Sequence, residues 1–279
     1  MTQKRIAYLP LTSYPEAVPD ESILSALRFV ASLGCSLHAT TFAVDIPKMS
    51  SPLGRYFLNV PELVRAAEER SKAECTRLHD LVQAFDESRL DVSWTNRTVV
   101  VGGALHAAAA EARYYDLAIL PWSSQTLVAH DMAQTVVFES GRPGLLVPPA
   151  WRSAPVDHIA IAWDASRVAA RALADALPLL RAGGRVSVLT VRDEKPLGEA
   201  NIAGSLAAAL KRRGINARPV EISLDGRSIA EALQSTAIEA GAQVLAMGGF
   251  GHSRLRDFIL GGATNGVLTH LRMPILLSH

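Results

Sequence analysis

The chain carries the same succession of strands and helices twice, and that repeat confines it to a parallel α/β architecture. In the first half the apolar run Ile6-Ala7-Tyr8-Leu9 predicts a strand, Ile23 to Leu33 a helix ended by Gly34, and Leu37 to Val44 a second strand. A charged helix from Glu62 to Phe85, a strand over Val92 to Val101, a helix over Ala104 to Tyr114 and a strand over Asp116 to Leu120 follow. The second half repeats this with Ile159 to Trp163, a helix capped by Ser166 with Leu173, Leu177 and Leu180 on one face, and Val186 to Val191. It continues with a helix over Ala200 to Arg213, a strand over Arg218 to Ser223, a helix from the Ser228/Glu231 capping pair to Gly241, and Val244 to Met247. Each half closes on a similar apolar strand, Pro143-Gly144-Leu145-Leu146-Val147 and Pro274-Ile275-Leu276-Leu277, and Pro148-Pro149 through Pro155 has the composition of a linker. Strands alternating with helices build a parallel sheet with helices on both faces. The expectation is two tandem five-stranded parallel-sheet domains, 1–150 and 151–279, packed as a pseudo-dimer. Their last strands, near Leu145 and Leu276, should meet, because each would otherwise expose an apolar sheet edge.

Composition narrows the partners. Lys and Arg number 28 against 27 Asp and Glu, a net charge of +1, so nothing points to nucleic acid or another polyanion. The only cysteines, Cys35 and Cys75, read as small buried hydrophobes in a reducing compartment. Pro10 interrupts the N-terminal apolar run, which argues against a signal peptide, and no run is long enough to span a membrane. A cytoplasmic protein without membrane attachment is expected. The eight histidines show no metal-ligand spacing with the cysteines, and His130-Asp131 reads as part of a loop.

The stretch with the most chemistry begins where the strand Val244 to Met247 ends. It reads Gly248-Gly249-Phe250-Gly251-His252-Ser253-Arg254-Leu255-Arg256-Asp257-Phe258-Ile259-Leu260-Gly261-Gly262-Ala263-Thr264, and a helix over Ala263 to Leu271 follows. One glycine pair leaves a strand and the next opens a helix. Glycine lets backbone amides approach a ligand, and a helix N-terminus presents unpaired N–H groups, so the two turns suit phosphate. The run is neither a P-loop nor a dinucleotide fingerprint, because the required Lys and third glycine are missing. Ser253 follows a strand as a nucleophile would, but Leu255 stands where a nucleophile elbow needs its closing glycine.

Gly248, two residues, Gly251, nine residues and Gly261 form a pattern that resembles the nucleotide-binding signature of the universal stress protein family. The likeness extends through Arg254-Leu255, Phe258-Ile259-Leu260 and Thr264-Asn265-Gly266-Val267-Leu268 to Pro274-Ile275-Leu276-Leu277. It covers 151–279 and, more weakly, 1–150, and the family often occurs as tandem pairs that mimic its homodimer. The resemblance implies a Rossmann-like fold of the adenine-nucleotide alpha-hydrolase type. It also implies a stress-response role that uses ATP, with Mg as its companion ion. On that basis Asp164, directly after the first strand, would meet the ribose, and the Val191 backbone the adenine. Met247 would stand at the strand edge, and Gly248, Gly251, Gly261 and Gly262 would offer amides to ribose and phosphates. Asp164 reads equally as a helix-start carboxylate in Asp164-Ala165-Ser166. His252 and Arg254 could add contacts or be solvated, and Ala263 and Thr264 complete the helix start.

Departures from the family pattern are specific. Many ATP-binding members have Ser or Thr after the third motif glycine, where this chain has Gly262, and Ala165 stands where glycine is usual. In the first half the fourth strand runs into Pro121-Trp122-Ser123-Ser124-Gln125-Thr126-Leu127 with no glycine loop, and the first strand ends at Pro10-Leu11-Thr12 with no Asp. That half reads as degenerate for nucleotide and retained for the interface or another ligand. With no assembled general base, the expected function is a regulatory module that binds an adenine nucleotide in its second half and signals through protein partners. It would be a monomeric pseudo-dimer or a homodimer, and slow ATP hydrolysis is left open. The alternatives are a nucleotide-free scaffold of the same fold and a small-molecule hydrolase using Ser253.

Overall fold

A computed structural model describes residues 4–47, 60–85, 90–152, 154–192, 201–249 and 262–279, with backbone alone for 262–265. In the first half the described residues form β1 (Ile6–Thr12), α1 (Asp20–Leu33), β2 (Ser36–Asp45), α2 (Val60–Gln83) and β3 (Val92–Val100). They continue as α3 (Ala104–Ala112), β4 (Leu117–Pro121), α4 (Leu127–Glu139) and β5 (Gly144–Val147). The second half comprises β6 (His158–Ala162), α5 (Arg167–Ala176), β7 (Arg185–Val191), α6 (Ile202–Arg212) and β8 (Asn216–Ile222). It ends with α7 (Ile229–Glu239), β9 (Val244–Gly248), α8 (Gly262–Thr269) and β10 (Ile275–Ser278). All strands join one sheet in the order β3-β2-β1-β4-β5-β10-β9-β6-β7-β8. Each half is parallel and has the same internal order, and the two halves meet through the antiparallel pair β5–β10, with Leu276 opposite Leu145. The expected meeting of the two closing strands is observed.

The alternation of side chains along these strands feeds two cores, one on each face. Leu145 and Leu276 point into a core with α1, α2, α5 and α6, while Leu146, Ile275 and Leu277 point into one with α3, α4, α7 and α8. Both cores therefore run unbroken across the seam. The central strands β4, β5 and β10 are buried along their whole length, as expected of strands covered on both faces. The outermost strands β3 and β8 alternate or are exposed, and Pro219 lies within β8, where a missing donor is tolerated at an edge.

Local signals behaved as read at several points. Gly34 ends α1 in the left-handed conformation (φ 66°), and the Ser166 and Ser228 side chains accept the amides of Ala169 and Glu231 at the starts of α5 and α7. Cys35 and Cys75 are free and buried. Two readings need correction. The helix after Ser166 stops at Ala176 rather than reaching Gly183-Gly184, because Pro178 cannot continue it; Leu177–Leu179 is a 3₁₀ turn, with Leu179 buried and Leu177 and Leu180 packed, partly buried, against the same core as Leu173. His130 and Asp131 lie in α4, not in a loop. Among the described residues no helix is long and apolar enough to cross a membrane, and no three His, Cys, Asp or Glu side chains gather as a metal site.

Candidate functional site

In a sheet of this order the chain reverses direction beside the first strand of each half, and the crevice at the C-terminal ends of the strands there is where open α/β sheets take ligands. In the second half that crevice lies between β6 and β9. The end of β6 is pinned to β7: Trp163 N–H donates to Leu189 O (2.8 Å), and Thr190 Oγ1 donates to Trp163 O (2.9 Å). The chain then turns sharply. Asp164 is exposed and its Oδ1 accepts the Ser166 N–H (2.9 Å), Ala165 takes φ 60°, and α5 begins at Arg167. The left-handed Ala165 shows why glycine suits this position. Asp164 thus serves as a helix-start carboxylate, with its second oxygen Oδ2 outside that turn. Val191 closes β7 and Met247 nears the end of β9; both are buried.

The glycines of β9 have distinct duties. A Cβ on Gly248 would sit 2.6 Å from Val168 Cγ2 and 2.7 Å from the Val168 carbonyl carbon, so this glycine admits the first turn of α5 against the strand. The Gly249 amide donates to Ser278 O (2.8 Å), so it is already used by the sheet. Asp164, Val191, Met247 and Gly248 therefore stand together at one edge of the sheet, at the ends of β6, β7 and β9. The backbone of Gly262, Ala263 and Thr264 opens α8, as read. Gly251, His252, Arg254 and Gly261, with Ser253, lie outside the described residues.

Two further groups reach this edge without any local sequence signal. Because β5 and β10 are antiparallel, the start of β5 lies beside the end of β10, and α4 of the first half comes with it. Phe138 packs its ring edge-to-face on His279 (centroids 5.0 Å apart) and lies 3.5 Å from where a Gly249 Cβ would be. Ser278 Oγ is buried there with no partner among the described residues.

The first half shows what the same place looks like when closed. Ala7 pairs with Leu117 as Ile159 pairs with Val244, so Thr12 takes the position of Asp164, Pro121 that of Gly248 and Trp122 that of Gly249. Thr12 and Trp122 are buried, the Trp122 amide donates to Val147 O (2.9 Å), and Ser22 Oγ donates to Trp122 O (2.8 Å). The crevice left between Pro10, Leu120, Val128 and Met132 holds only about 10 Å³.

Comparison with known proteins agrees with this geometry. The model of the universal stress protein family matches residues 155–279. That segment belongs to the universal stress protein family. A universal stress protein from Archaeoglobus fulgidus superimposes with a TM-score of 0.69 at 15% identity, covering 99% of this chain and 96% of its own. A protein from Pseudomonas aeruginosa UCBPP-PA14 titled as a universal stress protein gives 0.56 at 15% identity over 99% and 93%. A functionally unknown Pseudomonas aeruginosa PAO1 protein gives 0.54 at 15% over 97% and 92%. At such identities these likenesses speak to the fold, and they extend it over both halves. Among curated proteins nothing matches. Family membership of the second half supports a stress-response role for the chain.

Proposed function

We propose that this universal stress protein chain is a cytoplasmic regulatory module that binds ATP, with Mg as its companion ion, in the crevice of its second half and signals the bound state to protein partners. The carrying observation is the asymmetry between the two crevices. The second has an exposed carboxylate at the end of β6 and glycine at the end of β9, while the first has Thr12, Pro121 and a buried Trp122 in a space of about 10 Å³, far too small for a nucleotide. In this reading Asp164 Oδ2 accepts a ribose hydroxyl, the Val191 backbone lies along the adenine, and the start of α8 faces the phosphates, where unpaired amides favour anions. ATP supplies the charge and the cleavable phosphates; the chain supplies position. No general base is assigned, so the reading is binding rather than turnover.

The test is titration calorimetry of the whole chain with Mg-ATP. One site per chain is expected. Asp164→Asn keeps an acceptor for the Ser166 amide and removes the free carboxylate oxygen, so affinity should fall about tenfold, ~1–2 kcal/mol, with folding unchanged. Two equivalent sites would overturn the asymmetry on which the reading rests, and no binding would leave a nucleotide-free scaffold of the same fold.

A further inference from the structure

The linker between the halves builds a cleft of its own. After β5 the chain turns at Ala150, which takes φ 56°, and is tied to α1 by one hydroxyl: Ser25 Oγ donates to Pro148 O (2.9 Å) and accepts the Trp151 amide (3.2 Å). Ser25 is fully buried, so the strap has a fixed seat on the helix. Between the strap and α1 lies an open cleft of about 580 Å³. Its apolar walls include Ala31, Phe85, Trp151 and Pro155, and its charged groups are Arg28 from α1 and Arg152 from the strap. Among the described residues no acidic side chain lines it. Both arginines are exposed, and neither has a carboxylate partner among the described residues. Of the described acids near it in sequence, Asp20 pairs with Arg77 (2.8 Å) and Asp157 with Arg181 (3.5 Å).

We propose that this cleft is a second ligand site, for a small organic acid in which a flat apolar body is joined to one carboxylate. The volume fits a body of that size. Phe85 and Trp151 supply aromatic faces, and two guanidinium groups with no carboxylate partner among the described residues supply the fork that a carboxylate meets. A phosphate-rich ligand would leave the apolar wall unused, and a neutral one would leave the arginines unanswered. The site depends on the strap, which occurs once in the fold, and it stands apart from the crevice assigned to ATP.

The experiment uses the intact chain with 2-naphthoate as probe and 2-naphthamide as its neutral counterpart, followed by titration calorimetry and ligand-observed NMR. Saturable binding of naphthoate at one site per chain is expected, with the amide at least tenfold weaker. Arg28→Ala and Arg152→Ala should each weaken naphthoate about tenfold or more without changing the thermal unfolding profile, since neither residue is buried and neither has an ion-pair partner among the described residues. Saturating Mg-ATP should leave naphthoate affinity unchanged, which separates this site from the proposed nucleotide site. Equal affinity for acid and amide, wild-type binding by the double arginine variant, or no saturation up to millimolar probe would each overturn the proposal.

Discussion

Gly248→Ala tests whether the glycine at the end of β9 is there for packing. The added methyl would lie 2.6 Å from Val168 Cγ2, 2.7 Å from the Val168 carbonyl carbon and 2.8 Å from its Cβ. A flexible side-chain tip could swing aside, but one of these atoms is backbone in the first turn of α5, so the helix itself must shift. Overpacking of this kind costs about 1–3 kcal/mol, and the backbone contact places the expected loss in the upper half of that range. Val168→Ala removes Cγ2 but keeps Cβ and the backbone, so in the double variant it should restore no more than about 1 kcal/mol. Urea unfolding followed by circular dichroism, without nucleotide, measures all four proteins in one cycle. A Gly248→Ala protein within about 0.5 kcal/mol of the parent would refute the packing argument. So would full rescue by Val168→Ala, because it would show that the helix backbone does not resist.

Two further outcomes are expected. Leu276 is wholly buried at the β5–β10 seam opposite Leu145, so Leu276→Ala should cost about 2–5 kcal/mol in chemical denaturation, and a loss below 1 kcal/mol would mean the seam is not a true core. His158 is almost fully buried, its Nε2 lies 2.8 Å from Ser187 Oγ, and burial, then Arg185 and Arg218, hold its pKa below the usual histidine value. The unfolded chain therefore binds this proton more readily, so His158 contributes stability that is whole above about pH 6.5 and is lost as the pH falls toward the lowered folded value. Unfolding midpoints between pH 7 and 5 should fall less steeply in His158→Gln; an unchanged slope would remove His158 as the cause.

Much of this fold was legible because its signals are local. A serine before an apolar run, a glycine after one and paired closing strands are chemistry within a few residues, and Ser166, Ser228, Gly34 and Leu276 all do what such signals imply. What could not be read depends on distant neighbours. Helix α4 has no side-chain bond at its Thr126 cap, and its first turn opens on the exposed Leu127, so no boundary signal marks it. The end of α5 is hidden because Leu177 and Leu180, beyond the last α-helical residue, still pack on the same core as Leu173. That Gly248 accommodates Val168, that the Gly249 amide is used by Ser278, and that Phe138 reaches the same edge follow only from packing across many residues of chain.

The contrast between the two crevices comes down to how the chain leaves the first strand of each half. After β6 it turns within Asp164-Ala165-Ser166, α5 starts at Arg167, and Val168 comes so close to β9 that only glycine fits at 248. The same tight turn leaves Asp164 exposed at the sheet edge. After β1 the chain instead runs from Ser13 to Pro19 before α1 begins at Asp20. Along that longer path Ser13 Oγ is spent on Phe42 O and Ser71 Oγ, and in the first turn of α1 Ser22 Oγ donates to Trp122 O. With the helix starting farther along, Pro121 is accommodated where the other half has Gly248, and Trp122 is buried beside it. Turn length, glycine and exposed carboxylate are thus one linked feature in the second half, and long loop, proline and buried tryptophan are its counterpart in the first. Replacing Pro121 and Trp122 with glycine would leave the long loop and its hydroxyl anchors in place, and so would not by itself open the first crevice to a nucleotide.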